Sequence, residues 1–357
     1  MEMMRTVRLF VDADHLGSAD SRAAIEQAAA VLRMGGTVAF PTETVYGLGA
    51  NALDTAAIAK IFAAKQRPGW DPLIVHLADR SMLPSITASV PENATRLMDA
   101  FWPGPLTLLL PRSASIPDVV TAGRRLVGVR VPQHPVAQAL LLAAGVPLAA
   151  PSANSFGRIS PTLAAHVAED LDGRIDAILD SGETTHGLES TVVDPCAEPC
   201  IVYRPGVITL EQIRAIFPGA ITYGEAALQP VSGTVPASLP SPGVGIRHYA
   251  PRARLVLVDS VDQDPMERFA AEARAAELAG EKLGLMLPEV FESESIRQNT
   301  LVYRWGVWSN GEELAQKLFA GLRWLDAEGA TVIVCPLPDA KGIGVAMRDR
   351  LKKAART

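Results

Sequence analysis

The chain is short of the residues that build metal centres and disulfide scaffolds. Its 357 residues include three cysteines, Cys196, Cys200 and Cys335, too few for a disulfide framework or a four-ligand zinc site. Cys196 and Cys200 flank a proline-rich turn and are read as incidental. A histidine pair of the metalloprotease type is missing. Basic residues are not in excess: 33 Lys and Arg stand against 39 Asp and Glu, for a formal net charge of -6. Proteins that hold nucleic acid through its phosphates alone usually show the reverse balance, so only a local basic patch stays open. No apolar run is long enough to cross a bilayer, since the greasiest, Val136 to Ala150, is broken by Gln138, Gly145 and Pro147. Met1 to Arg5 does not read as a signal peptide. The expectation is a soluble, cytoplasmic protein in a reducing compartment, with no membrane partner.

What is present is globular: 48% hydrophobic and 20% charged residues, in a length that suits two domains. The organising stretch is Gly35 to Asp79. Thr37–Phe40 reads as a short buried strand entered from a Gly-Gly turn and stopped by Pro41. Thr42-Glu43-Thr44-Val45-Tyr46-Gly47-Leu48-Gly49 then sets two hydroxyls, a carboxylate and a phenol beside two glycines. Asp54 is a good N-cap for a helix with Ile58, Ile61 and Phe62 on one face, running to about Arg67, because Pro68 cannot continue it. Lys65 and Arg67 thus fall at its C-terminal end, where they either complement the helix dipole or serve a ligand. A strand, Leu73–Leu77, brings His76 near the same edge. Hydroxyls in a glycine-flanked turn, two cations and a histidine suit an anionic or zwitterionic small ligand.

Elsewhere, Thr6–Val11 reads as a strand and Ser21 as the cap of a helix burying Ile25, Ala28, Ala29 and Leu32. A helix is expected over Pro91–Ala100, and strands over Leu106–Leu110 and Val127–Pro132, with Trp102 packed under the turn between Phe101 and Pro105. Arg130 is a charge among apolar neighbours and needs a partner. A structural carboxylate such as Glu43 and a ligand carboxylate held by a bidentate fork are both open. A helix His134–Ala144, a strand Pro147–Ala150 and a small-residue turn from Pro151 to Pro161 follow, with a helix starting near Pro161. That turn either caps the helix or presents hydroxyls and N–H groups to phosphate. Arg204 lies at the end of a strand, Ile201–Arg204, where a plain surface cation is the simpler reading. From Tyr223 to Pro251 periodicity vanishes and Gly, Ser, Pro and Ala dominate, as in a linker. From Arg254 strands alternate with helices, implying a small domain with a largely parallel sheet. Gly342-Ile343-Gly344 before its last helix is a weak phosphate-loop signal and better read as the turn that opens the helix.

Three blocks closely resemble the threonylcarbamoyl-AMP synthase family, built on the YrdC-like fold: Gly-Gly-Thr-Val-Ala-Phe-Pro-Thr-Glu-Thr-Val-Tyr-Gly-Leu at 35 to 48, Lys65-x-Arg67-Pro68, and Pro72-Leu73-Ile74-Val75-His76. Trp102-Pro-Gly-Pro-Leu-Thr, Ser152-x-Asn154, Glu189-Ser-Thr and Arg204-Pro-Gly extend the match. Ser241-Pro-Gly with Arg247-His248-Tyr249-Ala250-Pro251 marks the long form. The resemblance covers roughly residues 5 to 251. Asp71 departs from it, since many relatives carry an amide there.

The fold implied is α/β: a YrdC-like twisted-sheet catalytic domain (1–222), a Pro/Gly-rich linker or lid (223–251) and a Rossmann-like domain (252–357). The activity implied is a nucleotidyltransferase reaction in which L-threonine, bicarbonate and ATP give L-threonylcarbamoyl-adenylate, pyrophosphate and water. The product would pass to tRNA-modifying threonylcarbamoyl transferase proteins, which modify the adenosine beside the anticodon; a weak RNA contact is left open. The resemblance places Lys65 and Arg67 as catalytic. It puts threonine at Thr42, Thr44, His76, Arg130, Ala150 and Ser190, tipping Arg130 toward the ligand. It puts ATP, with Mg²⁺, at Lys65, Arg67, Asp71, Leu126, Ser152, Asn154, Ser160, Arg204, Arg247, His248 and Tyr249. No residue of the protein itself is expected to bind metal. Two other readings are a double-stranded RNA-binding module without chemistry, and a carbamoyltransferase with another acceptor. The acid balance weighs against the first. The zinc-finger or acylphosphatase-like regions that accompany the second are not visible.

Overall fold

The computed structural model describes residues 5–227, 249–259, 265–289 and 300–356. The chain divides into two units. Among the described residues the first holds 5–156, 161–185 and 189–227, and the second holds 157–160, 186–188 and everything from 249 onward.

The first unit is built on an eleven-stranded mixed sheet. Its strands are β1 (Val7–Phe10), β2 (Val38–Phe40), β3 (Gly47–Asn51), β4 (Ile74–His76), β5 (Leu106–Pro111), β6 (Leu126–Arg130), β7 (Leu148–Ala149), β8 (Ala177–Asp180), β9 (Thr191–Asp194), β10 (Ile201–Arg204) and β11 (Ile221–Thr222). They lie in the order β1-β8-β2-β3-β7-β4-β6-β5-β9-β10-β11. The sheet is covered on both faces, as its alternation shows: Val38 and Phe40 join one apolar cluster with Leu32, Leu140 and Leu148, while Ala39 and Ala149 join another with Ile58, Ile61 and Val129. Such two-sided burial explains why its strands read as unbroken apolar runs.

Helix α1 (Ala19–Arg33) begins two residues before the cap read from the sequence. Ser18 is the N-cap and accepts from the Ser21 N–H, while Ser21 is buried and accepts from the Asp12 N–H. Asp54 caps α2 (Thr55–Lys65) through the N–H groups of Ala56 and Ala57, as expected. Helix α2 stops at Lys65 rather than at Arg67, because Gln66 turns left-handed at φ 54° and the Arg67 N–H closes back on Phe62 O. The helix expected near Pro161 begins only at Ala164. Strand β3 falls where the sequence read a glycine turn. It pairs with β2 and β7, both antiparallel. Trp102 is buried as predicted, with its indole N–H on Leu106 O at 2.8 Å. The first residues of the expected linker, Tyr223–Ala227, form a short helix.

The second unit carries a four-stranded sheet, β12 (Arg254–Val258), β13 (Leu283–Pro288), β14 (Leu301–Gly306) and β15 (Val332–Pro336), in the order β12-β15-β13-β14 with every pair parallel. Helices Pro265–Leu278, Gly311–Ala327 and Gly344–Ala354 complete it. Gly344 opens the last of these. A Cβ there would stand 2.0 Å from Asp339 O, so the glycine serves the turn itself. The ring of Tyr249 is stacked on Phe319 at 5.6 Å, with the Arg350 guanidinium over it.

Candidate functional site

The first unit gathers two polar clusters. One is centred on the turn after β2. Thr42 Oγ1 accepts from the N–H groups of Thr44 and Val45 and donates to Val45 O at 2.8 Å. Its single proton is then spent, so in the 2.7 Å contact between the two hydroxyls Thr44 is the donor. Thr44 in turn accepts from Arg130 Nη1 at 2.8 Å. Arg130 arrives from the end of β6, beside His76 on β4, its register partner. Its Nη2 pairs with Glu43 Oε1 at 2.7 Å and its Nε donates to Gly104 O. Of the two partners weighed for Arg130, the protein therefore supplies the structural carboxylate. Both side chains are about 95% buried, at 4% and 5% exposure. Burial pushes the Glu43 carboxyl up, but the charge and hydrogen bond of Arg130 outweigh it and hold the group below the ordinary value. His76 goes the other way. Burial and then the charge of Arg130 push its pKa down to about 3, so the imidazole is neutral. Its Nδ1 is buried and has no hydrogen-bond partner among the described residues.

The second cluster is cationic. Lys65 is 1% exposed and donates to the carbonyl oxygens of Ser152 and Asn154. A buried ammonium aimed at two loop carbonyls is doing more than completing a helix terminus. Arg67 donates to the carbonyls of Asp71 and Pro72 and pairs with the Asp71 carboxylate at 2.9 Å. Arg204 is 5% exposed, which rules out a surface cation; it donates through Nε and Nη2 to Ser190 O and through Nη2 to Ser190 Oγ at 3.1 Å. Gly206 makes this approach achievable, because a Cβ there would stand 2.5 Å from both Glu189 O and Thr191 N. That is the physical content of the Arg-Pro-Gly sequence. The charges of Arg67, Lys65 and Arg204 all bear on the fully buried Asp71; burial nevertheless dominates and raises its carboxyl above the ordinary value.

The remaining predicted positions distribute as follows. Ala150 is buried and its N–H bonds Ile74 O. Leu126 opens β6 and is partly exposed. Ser152 bridges to Gly47, which ties the small-residue turn to β3. Asn154 is buried, its amide donating to Ser155 O. Ser160 belongs to the second unit, where Arg323 donates to the carbonyls of Ile159 and Ser160. Tyr249 is also in that unit, with its ring engaged by Phe319 and Arg350. Arg247 and His248 lie outside the described residues. Sequence reasoning missed Thr107, whose hydroxyl meets Ser190 Oγ at 2.8 Å. The available signal was a lone hydroxyl inside the apolar strand Leu106–Leu110. It also missed Phe156, whose ring lies 6.0 Å from the Arg67 guanidinium carbon. Among the described residues no three His, Cys, Asp or Glu side chains cluster.

Comparison with known proteins shows the family. The family model described as Telomere recombination (Sua5_yciO_yrdC) matches residues 30–206, and that of the Threonylcarbamoyl-AMP synthase C-terminal domain matches residues 208–356. The Threonylcarbamoyl-AMP synthase of Pyrococcus abyssi is 41% identical over 333 residues, 93% of this chain and 94% of that protein. The chain belongs to the threonylcarbamoyl-AMP synthase family. A Bacillus subtilis member of the family is 42% identical over 354 residues, 99% of this chain and 98% of its own length. Among solved structures of the family, P. abyssi Sua5 complexed with L-threonine superposes with a TM-score of 0.87 at 39% identity, covering 98% of each chain. No helix among the described residues is long and apolar enough to cross a membrane.

Proposed function

We propose that the protein condenses L-threonine, bicarbonate and ATP into L-threonylcarbamoyl-adenylate, with release of pyrophosphate and water. The observation that carries this reading is the pairing of two unlike clusters in one unit. A hydroxyl-rich pocket is organised by Arg130, and a triad of buried cations lies around Asp71. The first has the chemistry for an amino acid: hydroxyls from Thr42 and Thr44, a neutral imidazole at His76 and a guanidinium for the carboxylate, to which the second adds the Ser190 hydroxyl held by Arg204. That a 39% identical family structure was obtained with L-threonine supports this half of the reading. The second suits a triphosphate, brought in as its Mg²⁺ complex and met by Lys65, Arg67 and Arg204.

In this reading the threonine amine captures bicarbonate or dissolved CO₂ as a carbamate, and a carbamate oxygen attacks the α-phosphorus as pyrophosphate leaves. The protein contributes position and charge. Arg130 orients the amino acid, and Lys65, Arg67 and Arg204 oppose the charge that builds on the phosphates. The reaction assigns the enzyme to the nucleotidyltransferases, and its product would serve tRNA threonylcarbamoyladenosine modification in the cytoplasm. Calorimetric titration tests the division of labour. Arg130→Ala is expected to lose threonine affinity and Arg204→Ala to lose MgATP affinity, whereas equal loss of both ligands in both variants would overturn the assignment.

A further inference from the structure

The nucleotide reading of the cation cluster leaves its acid unexplained, and the following inference rests on that reading. Asp71 has no solvent exposure. Its Oδ2 stands 2.9 Å from Arg67 Nη2. Lys65 at the end of α2, Arg67 just beyond its left-handed cap, and Arg204 at the end of β10 all act on it. Arg67 does not need this carboxylate to hold its place, because it also donates to the carbonyls of Asp71 and Pro72 at 3.2 and 2.9 Å.

A carboxylate among the cations of an anion site acts in two opposite ways. While no anion is bound, it neutralises charges that would otherwise be buried together. When a phosphate arrives, it repels the newcomer at short range and low dielectric. Both effects favour protonating the acid at the moment of binding. We propose that Asp71 takes up one proton from solvent as the Mg-nucleotide enters, which breaks its ion pair with Arg67, frees that guanidinium for the phosphates and makes nucleotide affinity rise as pH falls. Burial already moves the carboxyl upward before any phosphate is present, so the uptake starts from a raised position.

The sign follows from linkage. If the bound state holds the proton more tightly than the free state, affinity gains as pH drops, by up to about tenfold per pH unit while one proton is taken up. Titrating the full chain with MgATP, without threonine, in two buffers of different ionisation enthalpy between pH 6 and 8.5 counts the protons directly. The wild type is expected to take up as much as one proton more than Asp71→Asn, whose subtraction removes the nucleotide's own protons. At pH 8 Asp71→Asn should bind MgATP about tenfold more tightly, since it lacks the repelling charge, and the gap should close toward pH 6. Equal proton counts and parallel affinities would overturn the inference while leaving the nucleotide reading intact. If neither protein binds MgATP at any pH, with or without threonine, that reading falls and the inference with it. Should Asp71→Asn fail to fold, the wild type decides alone: no uptake beyond that of MgATP free in the same buffers refutes the coupling.

Discussion

The Glu43–Arg130 pair is the test of how the polar cluster after β2 is held. Both side chains are nearly inaccessible, and the guanidinium also meets Thr44 and Gly104 O. Replacing one partner strands the other charge in the interior. Glu43→Leu leaves a buried cation and Arg130→Met a buried anion, and each should cost about 3–5 kcal/mol of stability. Removing both charges leaves an apolar pair of similar volume. The double variant should therefore be far less damaged than the sum of the singles, with a coupling of at least about 2 kcal/mol. Urea denaturation of the full chain gives the four free energies. Hydrogen exchange at the β6 amides assigns the loss to this unit rather than to the second. Singles that cost under about 1 kcal/mol each and simply add would show that the pair is not desolvated, and the account of the pocket would be wrong.

Further expectations follow from the same groups. His76 is neutral in the fold, with a pKa near 3, and ordinary when unfolded. Its contribution is therefore fully present above about pH 6.5 and is lost as pH falls toward 3, at up to about 1.4 kcal/mol per pH unit. Denaturation at pH 7 and 5.5 should show that slope, and His76→Gln should remove its share; an unchanged slope would place the imidazole in water. Lys65→Ala deletes a buried cation whose charge-assisted bonds are worth about 1.5–3 kcal/mol each. The variant should lose tenfold or more in MgATP affinity while threonine affinity holds within about threefold, both read by calorimetry. Gly206→Ala should weaken the contact between Arg204 and Ser190, because its methyl would enter the backbone at Glu189 to Thr191. Lower MgATP affinity is the expected readout, and an unchanged value would show that the strand end can shift without consequence.

Much of this arrangement was written locally. The cap at Asp54, the turn at Thr42, the packing of Trp102 and the alternating strands and helices after Arg254 all depend on neighbours in the sequence, and each was legible there. Strand β3 was not, because its glycines disfavour a strand in isolation. Gly49 is tolerated since the Phe40 ring fills the space a side chain would take. The cap of α1 was read at Ser21 but lies three residues earlier at Ser18, because Ser21 is inside the helix and accepts from the Asp12 N–H. In the site, residue types could be read but partners could not. Whether Arg130 meets Glu43 or waits for a ligand depends on the turn after β2 reaching the end of β6, a long-range contact that no local pattern encodes. The same holds for Arg204, a surface cation by sequence and buried on Ser190 by topology.

Whether this chain joins threonine to a nucleotide is tested most directly by pyrophosphate release. Purified full-length protein is supplied with ATP, Mg²⁺, L-threonine and bicarbonate, and each component is omitted in turn. The account predicts pyrophosphate only with all four present, in step with formation of a threonylcarbamoyl-adenylate. Release that continues at the same rate without threonine would contradict it.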